Sequence, residues 1–152
     1  MDKVRPGRYT ALATTSAPWY IDSIRCGSTD LAKEELVVAA GQQEPIDVIL
    51  RDDSASVHGQ LKRSGEQANS VVLLVPDSGA APITISSDSP EGRFGQGGIA
   101  PGGYSVLAFD DLNGVEYSNP DVLRPYLPKA IHLNLQPNRE TTVELEPIRR
   151  AE

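Results

Sequence analysis

Pro101-Gly102-Gly103-Tyr104-Ser105-Val106-Leu107-Ala108 decides the fold, because it joins a tight turn to an apolar strand and because the chain contains it twice. Proline fixes φ near about −65° and glycine accepts a positive φ, so Pro101-Gly102 brings the backbone round sharply and Tyr104 drops its ring into a core. Pro6-Gly7-Arg8-Tyr9-Thr10-Ala11-Leu12-Ala13 is a near copy. The likeness continues downstream: the strand around Val48 matches the strand around Val143, and Tyr9 to Val48 spans the same 39 residues as Tyr104 to Val143. One register carries both copies, which is the mark of an internal repeat. Only the second copy has a further stretch before its turn, from Val57 to Ala100. Residues 1–53 therefore read as the C-terminal half of a first β-sandwich, and residues 54–152 as a complete second one.

Working outward, short runs rich in Val, Ile, Leu and Tyr recur between turn residues: YTALA, WYIDSI, ELVVA, PIDVIL, VHGQL, SVVLLV, ITIS, YSVLAF, IHLNL and TTVELEPI. This is strand spacing. In IDVIL, IHLNL and TVELEPI alternate residues are apolar, a period that sets one face on a core and the other in water. SVVLLV is apolar throughout and reads as a strand covered on both faces. The best helical candidate, Pro120 to Leu127, is too short for more than a turn or two.

With 39% hydrophobic and 23% charged residues the 152-residue chain has the composition of a folded domain rather than a disordered one. A net charge of −7 and a pI near 4.8 oppose nucleic acid as a partner, since no Lys/Arg stripe exists to displace counterions. No apolar run approaches the ~20 residues that span a bilayer, and the N-terminus lacks the apolar core of a signal peptide. A single cysteine, Cys26, excludes an internal disulfide and reads as a half-buried strand residue rather than a reactive thiol.

Asp88 to Asp111, DSPEGRFGQGGIAPGGYSVLAFDD, resembles the signature of carboxypeptidase regulatory-like domains: an acidic turn, Gly-Arg-Phe, then Pro-Gly-x-Tyr and an apolar strand. VHGQLKRSGEQANSVVLLVPD is similar to the opening strands of such domains. EYSNPDVLRPYLPKAIHLNL resembles a passage in large envelope-associated proteins of soil bacteria that carry them in series. The resemblance implies an all-β, seven-stranded Greek-key sandwich of the transthyretin or carbohydrate-binding-like type. It also implies an extracellular, periplasmic or envelope location, upstream domains of the same or a partner protein as partners, and no catalytic activity or cofactor.

Each feature that could carry chemistry has a plainer structural reading. GQGGIA, Gly95 to Ala100, satisfies the loose pattern of a dinucleotide loop, but Pro101 and a strand follow where a helix N-terminus is required, so a glycine-rich hairpin connection is expected. His58 and His132 fall on the polar faces of their strands, and neither Gly-x-Ser-x-Gly nor His-Glu-x-x-His occurs. Asp110, Asp111, Asn113 and Glu116 are the densest oxygen cluster and the weak calcium candidates, although their order is not that of a calcium loop and a solvated turn at Asn113-Gly114 is simpler. Asp52-Asp53 reads as a polar linker. Sugar-binding sandwiches stack pyranose rings on exposed aromatics, which makes Trp19, Tyr20, Tyr117 and Tyr126 the candidates for polysaccharide contact. Tyr9, Phe94, Tyr104 and Phe109 are expected in cores. Adjacent strand residues face opposite ways, so of Trp19 and Tyr20 one is expected inside and one outside.

The expected function is that of a non-catalytic structural or interaction module, with polysaccharide recognition as the alternative. About fifty residues of later strands cannot enclose a core by themselves. The first half-repeat is therefore expected to take its missing strands from upstream residues, or to pack elsewhere.

Overall fold

The computed structural model describes residues 4–41, 44–62, 70–87, 89–110, 112 and 116–148. The chain is all-β and divides into two compact units, Met1–Asp52 and Asp53–Glu152.

The first unit holds β1 (Gly7–Tyr9), β2 (Tyr20–Cys26), β3 (Thr29–Asp30), β4 (Leu36–Val38) and β5 (Ile46–Arg51). β1 pairs antiparallel with β4, and a second sheet runs β3-β2-β5. Gly27, with φ +57°, makes the two-residue turn between Cys26 and Thr29. Burial is thin. Among the described residues Ile24, Cys26 and Leu31 form a small buried cluster, with Ala11, Ala13, Ile21 and Leu36 packed against it.

The second unit holds β6 (Ala55–Leu61), β7 (Ser70–Pro76), β8 (Ile83–Ser87), β9 (Arg93–Ile99), β10 (Gly102–Phe109), β11 (Ile131–Leu135) and β12 (Glu140–Leu145). They form a four-stranded sheet, β11-β10-β7-β8, and a three-stranded sheet, β12-β6-β9, so that the chain crosses between layers after β6, β8, β9 and β11 in a Greek-key sandwich. Every pair is antiparallel except β12 with β6. Between the layers lie Val57, Leu61, Val72, Leu74, Ile85, Phe94, Tyr104, Val106, Val143 and Leu145. A second cluster, Leu73, Leu107, Phe109, Leu123 and Ile148, covers the other face of β7 and β10. Both faces of SVVLLV are thus buried, the reason its apolar run has no polar alternation. The cover comes from the β10–β11 crossover. Its helix α1 (Pro120–Leu123) is capped by the Asn119 side chain, which accepts the Asp121 N–H at 3.0 Å, and a 3-10 turn (Leu127–Lys129) follows.

Three sequence expectations need correction. YTALA gives a strand only at its start, in Gly7–Tyr9. The stretch expected to be a glycine-rich connection is strand β9, and its glycines answer to their neighbours: a Cβ on Gly95 would stand 2.6 Å from Nδ1 of His58, and Gly98 takes φ +69° where the β6–β9 register shifts. Finally, the alternation of β5 does not bury a face, since all six residues are exposed.

Candidate functional site

The two tyrosine turns make the same hydrogen bond. Tyr9 Oη donates to the Arg5 carbonyl at 2.8 Å, and Tyr104 Oη to the Ala100 carbonyl at 2.7 Å. The strands that follow also correspond: Tyr9 stands opposite Leu36 in the β1–β4 pair, and Tyr104 opposite Leu133 in the β10–β11 pair. What differs is cover. Tyr104 is 4% exposed because β7 lies against β10, whereas Tyr9 is 38% exposed, against the expectation that it is a core ring. The same holds for β5 and β12: Val143 and Leu145 are 7% and 3% exposed, their counterparts Val48 and Leu50 45% and 46%.

The first unit therefore presents an apolar surface. Val37, Ile46, Val48, Ile49, Leu50 and Trp19 are all exposed. Directly paired residues share a sheet face, so Ile46 and Val48 continue the face of Cys26 and Ile24. Across from that face stands β4, and between the two sheets opens a cleft of about 190 Å³ lined by Cys26, Leu36, Val38, Glu44 and Ile46. Burial pushes the Cys26 thiol up, and the Glu44 carboxylate, 3.8 Å from Sγ, adds to the effect.

The edge of this sheet has a definite polarity. Leu31 N–H donates to the Ile24 carbonyl at 2.9 Å, so Ile24 turns its backbone groups toward β3 and its partner across the ladder, Val48, receives no bond from it. Backbone groups alternate along a strand. Asp47 and Ile49 therefore face β2, while Ile46, Val48 and Leu50 aim their N–H and C=O groups at the other side of β5, where the sheet order places no strand among the described residues. In the second unit the corresponding side of β12 is filled: Ser56 and Lys62 N–H donate to the Arg139 and Leu145 carbonyls, at 3.0 and 2.8 Å, in the parallel β6–β12 ladder.

The sequence-derived aromatic candidates do not converge. Trp19, just before β2, is 45% exposed and Tyr20, the first residue of β2, 8%, so one ring is outside and one inside, and the buried Tyr20 offers no open face to a sugar. Tyr126 packs edge-on against Phe109, ring centroids 5.2 Å apart, and serves the second cluster instead of a ligand face. Tyr117 is half-buried and lines a cleft of about 270 Å³ with Pro76, Asp77, Pro82, Pro120 and Leu127. Asp77 was not a candidate from sequence. It comes to Tyr117 only through the β7–β8 turn, and no local pattern signals that. Of the calcium candidates, Asp110 is half-buried and Glu116 exposed, while Asp111 and Asn113 lie outside the described residues. Among the described residues no group of three or more His, Cys, Asp and Glu is placed to hold a metal ion. His58 and His132 sit on open sheet faces, each beside a carboxylate: Glu140 at 3.6 Å and Asp77 at 3.4 Å. No described helix is long and apolar enough to cross a membrane.

No protein-family description matches the chain, and neither does any curated protein. Among solved structures, the chain is similar to the minor pilin of the Gram-positive pathogen Streptococcus agalactiae, with 14% identity and a TM-score of 0.42 over 78% of this chain and 59% of that one. It is also similar to the Bacillus anthracis TIE protein, with 11% identity and a TM-score of 0.38 over 74% of this chain and 20% of that one. The chain thus spans under two thirds of the first and a fifth of the second, and its assignment as a β-sandwich rests on its own strand order and register.

Proposed function

We propose that the chain is a non-catalytic structural and interaction module of a larger exported or cell-envelope protein, similar to the carboxypeptidase regulatory-like domains. The observation that carries this reading is the apolar surface of the first unit. Ile46, Val48 and Leu50 share one face of β5 and are exposed, whereas the corresponding Val143 and Leu145 of the second unit are covered, and exposed apolar surface of this kind marks a place where another polypeptide packs. The nucleophile and base candidates support it too. The thiol of Cys26 is held protonated by its surroundings, and each histidine rests against a carboxylate on an open face instead of in a cleft. The envelope location rests on the resemblance of Asp88 to Asp111 and the flanking strands to that family.

One observation favours the second reading, polysaccharide recognition: Tyr117 lines a cleft with Asp77, Pro82 and Leu127, and a concave site that includes an aromatic ring is the kind that holds a sugar. A single experiment tests both. The purified chain is screened for turnover against ester, peptide and glycoside substrates and for binding on a glycan array. The module reading expects neither; turnover overturns it, and saturable glycan binding lost in Trp19→Ala or Tyr117→Ala establishes the second reading in its place.

A further inference from the structure

We propose that the free side of β5 is a docking site for one extended β-strand from a partner polypeptide, running parallel to β5 and carrying the residue pattern of β6. The proposal deepens the interaction-module reading by naming the partner's chemistry. Three observations fix it. First, Ile46, Val48 and Leu50 direct their backbone groups away from β2, into a side that the sheet leaves without a strand. Second, the equivalent side of β12 is occupied by β6, in parallel, from Glu140 opposite Ser56 to Leu145 opposite Leu61. Third, the side chains that β6 and its layer bury on β12, Val143 and Leu145, are the counterparts of the exposed Val48 and Leu50.

The second copy also specifies the occupant. β6 turns Ala55, Val57 and Leu61 inward, and opposite Val143 it carries Gly59, where a Cβ would run into the Val143 carbonyl. A strand for β5 therefore needs small or branched apolar residues at alternate positions, with glycine or another small residue opposite Val48. A second copy of this chain cannot supply its own β6 without opening its own sandwich, since β6 is held on both sides by β12 and β9. Strand addition of this kind draws affinity from main-chain hydrogen bonds and specificity from the alternate side chains.

The test uses the full 152-residue chain and, as probe, a fluorescent nonapeptide copying Ser54 to Lys62. Residues Ser56, His58, Gln60 and Lys62 of the probe turn their N–H groups to the acceptor strand, and Val57 turns away. Fluorescence anisotropy should show saturable binding, weakened at least tenfold by N-methylation at His58 and nearly unchanged by N-methylation at Val57. Val48→Lys should likewise weaken it at least tenfold. Should that variant lose its fold, a benzophenone on the probe gives the answer with the unaltered chain, by cross-linking within residues 44–51. No saturable binding, equal loss from the two methylations, or cross-links at residues 139–146 would overturn the proposal. So would a dimer in sedimentation that Val48→Lys dissolves, since a second copy would then be the occupant. None of these outcomes bears on the module reading itself, which catalytic turnover or saturable glycan binding would sink.

Discussion

Substituting alanine for Gly59 tests whether the second unit is packed as described. Gly59 lies in the middle strand of its sheet, opposite Val143 on one side and Phe94 on the other. A Cβ there would run into the Val143 carbonyl and into the Phe94 ring, with Cε1 at 2.8 Å. The ring is the end of a side chain and can shift. The carbonyl cannot, because it belongs to the β6–β12 ladder. Forcing a methyl group into a filled site costs about 1–3 kcal/mol. Replacing glycine within a strand recovers about 0.5–1 kcal/mol of chain entropy. At the middle of each range, about 2 against about 0.75 kcal/mol, packing wins and the net loss is about 1 kcal/mol. For a unit of about 100 residues, at roughly 4–8 °C per kcal/mol, the melting transition followed by far-ultraviolet circular dichroism should fall by about 4–8 °C. Adding Phe94→Leu to Gly59→Ala should cost less than the two single changes together, because the ring is one of the two obstacles. An unchanged or raised melting temperature in Gly59→Ala would refute the close approach of β6 to β12 and Phe94.

Other outcomes follow from the same contacts. Tyr104→Phe removes a buried hydrogen bond to the Ala100 carbonyl and should cost about 0.5–1.5 kcal/mol in urea unfolding, while the exposed Tyr9→Phe should cost less. Ile148 joins the cluster under α1 and donates its N–H to the Ala108 carbonyl at 2.7 Å, so Ile148→Ala should destabilise the second unit by about 2 kcal/mol or more in the same assay. Because its surroundings raise the Cys26 thiol above its usual 9.0, the unfolded chain loses that proton at lower pH than the folded one. Stability of the first unit should then fall as pH rises past about 9, more steeply in the natural chain than in Cys26→Ala, and alkylation at neutral pH should be slow.

Much of the second unit was legible in its sequence. SVVLLV and YSVLAF have no polar alternation because each is covered on two faces, and the turn at Pro101 announces Tyr104 as a core ring. Strand β9 was not legible, since its glycines report on His58 above Gly95 and on a register shift beside Gly98, both set by a strand distant in sequence. Alternation in Ile46 to Leu50 predicts that one face is apolar, but not that anything lies on it. Tyr9 and Tyr104 make this plain: the same motif makes the same hydrogen bond, and only the strand beside it decides whether the ring is buried. The cleft at Tyr117 escaped the sequence for a related reason, as Asp77 and Tyr117 meet only through the chain's path around β8 to β11.

Amide exchange resolved residue by residue by NMR tests the central claim most directly, because a strand with one free side exchanges at every second amide. In the free monomer the amides of Ile46, Val48 and Leu50 should exchange rapidly and those of Asp47 and Ile49 more slowly, while Thr141, Val143 and Leu145, the counterparts that face β6, should be slow. Equal protection at Ile46, Val48 and Leu50 and at their neighbours would mean that the free side of β5 is already occupied within the chain, and would contradict the account.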